Sequence, residues 1–245
     1  MSVVQERDPR TAADLPDLVS RYVERNVSLD RLHGQRVRFS QIGEMQLKPG
    51  RWMPFRAEQE IAVEVVGFIW RATFRPVPFI PLRVRDWYRA GAAGLDVRLW
   101  GLLPVVHARG RQIARGEAIR YLVELPLAPQ AMALNTELEW REVDELTAEV
   151  TTLAGGERVT ALLHFDDAGD VVAASAEARP RTVGKQVVDT PFRGLFGEYR
   201  EFDGVRLPTT AEVSWLLPDG PFTYFRCRIT DWSADDKAGL RGVQR

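Results

Sequence analysis

The chain has 245 residues, 45% hydrophobic and 27% charged, which supplies a packed core and argues against disorder. Its 33 basic and 34 acidic groups leave a net charge of −1, so no global field draws in nucleic acid. The single cysteine, Cys227, excludes an intrachain disulfide, and no apolar run reaches the roughly 18 residues of a membrane-spanning helix.

The length fits one domain over 1–245, with frayed ends expected at 1–12 and 233–245. The opening MSVVQERDPRTAADLP has no apolar stretch of the kind an export signal needs, so the expected location is cytoplasmic. The first predicted element is a helix in ADLPDLVSRYVERN. Leu15, Leu18, Val19, Tyr22 and Val23 recur at helical spacing, Asp14 is placed to cap, and Pro16 suits the first turn. From His33 the period falls to two. VRFSQ and EMQLK alternate, and EQEIAVEV puts Ile61, Val63 and Val65 on one face and Glu60, Ala62 and Glu64 on the other. Gly67 marks a bulge or bend before FIWRATF. The proline-rich FRPVPFIPL, residues 74 to 82, is expected to be a loop or edge strand, because proline cannot donate to a sheet ladder. LRVRDWYRAG and GLDVRLWG follow as strands.

GEAIRYLVELPLAPQAM, residues 116 to 132, reads as a short helix. Ile119, Leu122 and Val123 form its apolar stripe, while Glu117, Arg120 and Glu124 share a charged face. Pro126 stops the helix and Pro129 starts another short turn. Strands resume in TELEWREV, ELTAEVTTL and AGGERVTALLHF. FDDAGDVV reads as a hairpin loop, since its aspartates fit no EF-hand spacing. EYREFDGVRLP, TAEVSWLL and FTYFRCRITDW complete a meander with turn signals at short intervals. Alternation there puts Phe225, buried thiol Cys227 and Ile229 on one face.

No nucleophile elbow, phosphate loop or dinucleotide fingerprint is present. His33, His107 and His164 lie far apart without metal-ligand spacing, so no metal or cofactor is expected. The Glu117–Arg120–Glu124 face admits two readings. One is a rim ion network. The other is a pocket face whose buried carboxyls hold protons and whose guanidinium binds an anionic head. A ligand cavity under the sheet would take Trp70, Trp87, Trp100 and Tyr121 as walls and Arg120 and Glu124 as polar contacts. An enzyme would draw acid/base groups from Glu117 and Glu124, with His107 or Asp86 nearby; a filled core is the third reading. Residues 68–85 mix bulky apolar groups, prolines and four arginines. They suit a packed crossover or a peripheral contact with an anionic membrane surface.

RYVERN, GRWMPFRAEQE, GFIWRA, RDWYRAGAAGLDVRLWG, GEAIRYLVELPLAP and TPFRGLFGEYREFDGVRLPTTAEVSW carry a resemblance over nearly the whole chain. It is to a bacterial family known only as a domain of unknown function, with the motif around Arg120, Tyr121 and Glu124 its most specific part. That resemblance implies no reaction. KPGRWMPFRAE and YREFDGVRLPTTAEVSW are similar to the early strand pair and closing hairpin of the periplasmic lipoprotein carriers, the LolA-like half-barrels. This second resemblance implies an open antiparallel barrel with short helices plugging an apolar hollow. The expected fold is therefore α+β: a strongly curved antiparallel sheet of about nine to twelve strands, an N-terminal helix, and a helical insertion near 116–133 packed in the hollow. The expected function is binding or carriage of an apolar or amphipathic small molecule, such as a lipid.

Overall fold

The computed structural model describes residues 15–46, 48–77 and 79–235. After helix α1 (Asp17–Asn26), the chain starts at the middle of one antiparallel sheet and walks to an edge through β1 (Arg36–Gln46), β2 (Trp52–Ala62), β3 (Gly67–Val77), β4 (Ile80–Arg89), β5 (Ala92–Leu99) and β6 (Leu103–Arg109). It crosses to the far edge through α2 (Arg111–Val123), a single 3₁₀ turn and α3 (Pro129–Leu134). It then walks back through β7 (Glu139–Asp144), β8 (Thr147–Ala154), β9 (Glu157–Phe165), β10 (Val171–Val183), β11 (Gln186–Phe202), β12 (Val205–Leu217) and β13 (Gly220–Asp235). The order is β6-β5-β4-β3-β2-β1-β13-β12-β11-β10-β9-β8-β7, and the β1–β13 ladder joins the halves. Consecutive strands pair through short turns, as antiparallel ladders allow. Only the helical insertion must span from one edge to the other, and this lays α2 across the concave face.

The core lies between that face and the helices. Phe55, Ile61, Phe68 and Tyr88 come from one half of the sheet, and Val150, Leu163, Phe192 and Leu207 from the other. Tyr22, Leu122, Leu125 and Met132 meet them from the helices. Side-chain bonds pin the insertion. The Tyr121 hydroxyl donates to the Ala62 carbonyl at 2.8 Å and accepts from Asn135 at 2.7 Å, and Trp232 Nε1 donates to the Leu127 carbonyl at 2.9 Å.

The α+β half-barrel matches the expectation, and several details correct it. The sheet has 13 strands among the described residues, against nine to twelve expected. β6 is an addition: LPVVHAR lacks alternation because it is an exposed edge strand. The 74–82 segment is neither loop nor edge, since β3 and β4 are interior strands that run into it from both sides. Pro76 and Pro81 are tolerated near the turn, where the β3–β4 register shifts between Phe74 and Val77. Val65 is half-exposed, because β2 ends at Ala62 and a bend follows. α2 begins five residues before the expected start at 116, at Arg111 after Gly110. Asp14 lies outside the described residues, and Pro16 occupies the N-cap position of α1.

Candidate functional site in the hollow

Arg120 sits at the centre of a buried charge cluster built by register. Gln59, Trp70 and Asp86 are direct partners across β2, β3 and β4, so their side chains share the concave face. Arg120 reaches all three from α2. Its guanidinium donates to Asp86 at 2.6 Å, to Glu124 at 2.8 Å and to Gln59 at 3.4 Å. Its Cζ stands 4.7 Å from the Phe68 ring centre and 5.3 Å from that of Trp70. Gln59 also donates to Glu124 and accepts from Gln41. Glu117, one turn from Arg120, is 3.8 Å from it and 3.7 Å from Arg179 of β10. Arg179 donates to the Gly116 carbonyl and to Tyr224, and stacks over Phe192 at 4.6 Å.

Two guanidiniums thus face three carboxyls, and one proton would bring the cluster to neutrality. The structure points to its holders. Asp86 and Glu117 both approach Nη1 of Arg120, at 2.6 and 3.8 Å, and Asp86 Oδ1 and Glu117 Oε2 are buried without a donor. A proton on one of these carboxyls supplies the missing donor. Burial, then the neighbouring Asp86, pushes the Glu117 carboxyl up to about 8. Burial raises Asp86 as well, against the pull of Arg120. Burial also pushes the nearby Cys227 thiol up to about 12, making it an unreactive apolar group at neutral pH.

Beside this cluster the sheet is split. β9 and β10 pair only from Phe165↔Val171 to Leu162↔Ser175. Beyond that, β9 continues along β8 and β10 along β11, with no ladder between them. A cavity of about 740 Å³ occupies the slot. Val159, Ala161 and Ala176 line it, and Ile119 and Arg115 of α2 close its back. Arg115 ties the helix to this wall through the Ala178 carbonyl and Asp189.

Of the residues singled out in the sequence, Asp86, Glu117, Arg120, Glu124 and Trp70 converge in the hollow. Tyr121 is fully buried and has its hydroxyl engaged by Ala62 and Asn135. Trp87 does not line the hollow. It is in phase with Arg83, Arg85 and Arg89 along β4, which puts it on the outer face, where Arg109 lies over its ring at 5.3 Å. Trp100 is half-exposed at the β5–β6 turn. His107 lies on the outer face, bonded to Asp96 at 2.8 Å, so it is not near the buried carboxyls. Sequence reading missed Arg179, Gln59 and Gln41. The two glutamines interrupt apolar alternation at inward positions of β1 and β2, a signal that was available. Arg179 follows a β10 irregularity between Ala176 and Arg179, which defeats a parity count.

A family model described as a family of unknown function matches residues 5–227. No significant match is found among curated proteins. An outer membrane lipoprotein-sorting protein domain from Vibrio parahaemolyticus superposes with a TM-score of 0.50 at 10% identity, over 94% of this chain and 96% of that one. A DUF1329 family protein from Desulfovibrio piger gives 0.49 at 12% identity, covering 91% and 92%. A LolA superfamily protein from Nitrosomonas europaea gives 0.47 at 11%, covering 94% and 96%. At 10% identity the likeness to the Vibrio parahaemolyticus domain is one of fold alone.

Proposed function

The chain belongs to that family, DUF6544, and from this premise we propose that it binds an apolar or amphipathic small molecule, a lipid-like one, in the hollow of the half-barrel. The observation that carries this reading is the slot between β9 and β10. Its volume, about 740 Å³, falls within the usual range of small-molecule sites, roughly 300–1,000 Å³. Small apolar groups, Val159, Ala161 and Ala176, share its lining with Thr160, Ser175 and the charged Glu149, Glu157, Arg158 and Glu177. A chain-like apolar body enters there and displaces α2 from the split. Arg120 and Glu124 then meet its polar end, and Trp70 packs against it. The lipoprotein-sorting domain from Vibrio parahaemolyticus shares the half-barrel, which supports the reading as an analogy of fold.

The test is binding of an environment-sensitive fatty-acid probe. The reading expects saturable uptake with a rise in emission, and loss of uptake in Ala161→Trp, which fills the slot. Unchanged uptake in that variant would remove the slot from the account. A second reading is an enzyme with a carboxyl acid/base pair, favoured by the juxtaposition of Asp86 and Glu117. Glu117→Gln separates the two readings. It abolishes turnover in the second and leaves probe binding intact in the first.

A further inference from the structure

The outer face of the β1–β6 half carries an arrangement that the hollow does not use. Arg56, Thr73, Arg83 and Arg98 are successive cross-strand partners on β2, β3, β4 and β5. Arg83 and Arg98 stand directly opposite each other, a like-charge pairing that costs a sheet stability. None of the three guanidiniums makes an ion pair among the described residues, while the row behind is occupied: Asp96 is held by Arg109, His107 and Arg85. The rows line a groove of about 1130 Å³ in which six arginines face two acids, Glu58 and Asp96.

The groove leads to an apolar tip. Phe79 at the β3–β4 turn is 93% exposed, and Leu102 in the β5–β6 turn is 78% exposed. Trp100 lies between them, with its Nε1 donating to the Phe79 carbonyl at 3.3 Å and its backbone N–H to Pro81 at 2.9 Å. Phe79 and Trp100 have φ of 66° and 52°, in the left-handed region where a turn favours glycine or asparagine. Both hairpins thus hold a bulky aromatic in a strained position and present it outward. Phe79, 93% exposed, buries almost nothing there. Strand addition at the neighbouring β6 edge does not explain it either, because Pro104 and the register shift opposite Val97 and Arg98 blunt that edge.

We propose that this corner docks the protein on an anionic lipid bilayer, with Phe79, Trp100 and Leu102 entering the interface and Arg56, Arg83 and Arg98 binding headgroup phosphates. Aromatic rings at headgroup depth and cations just behind them match the two layers of such a surface. The apolar tip separates a bilayer from nucleic acid, which would use the arginine row and leave the tip in water. This docking is independent of what the hollow holds.

The experiment is vesicle co-sedimentation with delipidated protein, using phosphatidylcholine vesicles with and without phosphatidylglycerol. The protein is expected to sediment with the anionic vesicles, to remain in solution with phosphatidylcholine alone, and to detach as salt rises. Arg83→Gln/Arg98→Gln is expected to weaken binding on the order of tenfold or more, and Phe79→Ser/Trp100→Ser to abolish it. All four side chains are outside the core, so thermal unfolding should be retained in both variants. Absence of binding to anionic vesicles would overturn the proposal, as would full binding by the Phe79→Ser/Trp100→Ser variant. Complete competition by soluble glycerol phosphate would reassign the groove to a free anion.

Discussion

Glu117 departs far from its isolated behaviour. Its carboxyl is held up to about 8 by burial and by Asp86, against about 4.3 for an unperturbed glutamate. A group protonated in the folded state and ionised in the unfolded one contributes stability that is present below the unfolded value and lost as pH rises through the folded one. The wild type should therefore lose stability relative to Glu117→Gln across the window from about 4.3 to about 8. Paired thermal melts over that window check the sign. A gap between the two proteins that stays constant with pH would mean that Glu117 is ionised in the fold. Arg120 makes the complementary prediction. Arg120→Met removes the cation and strands Asp86 and Glu124, which should cost about 3–5 kcal/mol in urea unfolding. A loss below about 1 kcal/mol, the worth of an exposed pair, would place the network in solvent. The face that carries Glu117, Arg120 and Glu124 was legible from helical spacing alone. Its partners were not, because Asp86 and Gln59 reach it through sheet register, which no single-chain pattern records.

At the scale of elements, β1 is the seam of the sheet and Gly43 its tightest point. A Cβ there would lie 2.3 Å from the Arg226 carbonyl oxygen and 2.8 Å from the Phe55 ring. The glycine lets Phe55 lie against Phe225, stacked at 5.2 Å. Gly43→Ala should cost about 1–3 kcal/mol, as overpacking does, and equilibrium unfolding measures it. The β9–β10 split makes a different prediction. Amides on the slot side of β9, between Glu157 and Ala161, have no strand partner there and should exchange faster than those facing β8. A ligand in the slot should slow them, and uniform protection without ligand would contradict the split. Strand alternation marked β1, β2, β4 and β8 through β13 in whole or in part. It failed at β6, whose exposed edge needs no apolar side. It failed again at 74–82, where proline chemistry argued for a loop and the turn end of a hairpin accommodates it.

For the whole molecule, the order of strands explains the site. Two meanders leave and return to a central seam, so the chain between their far ends must cross the concave face, and α2 is that crossing. The charged cluster, the split sheet and the plugged hollow follow from this topology. The central claim is that the hollow holds an apolar ligand. Native mass spectrometry of the purified protein, followed by solvent extraction and identification of what is released, tests it most directly. A stoichiometric apolar adduct is expected, either carried through purification or formed on adding a fatty acid, and absent from Ala161→Trp. A protein that shows the bare chain mass under both conditions would contradict the account, and would leave the half-barrel as a core filled by its own helices.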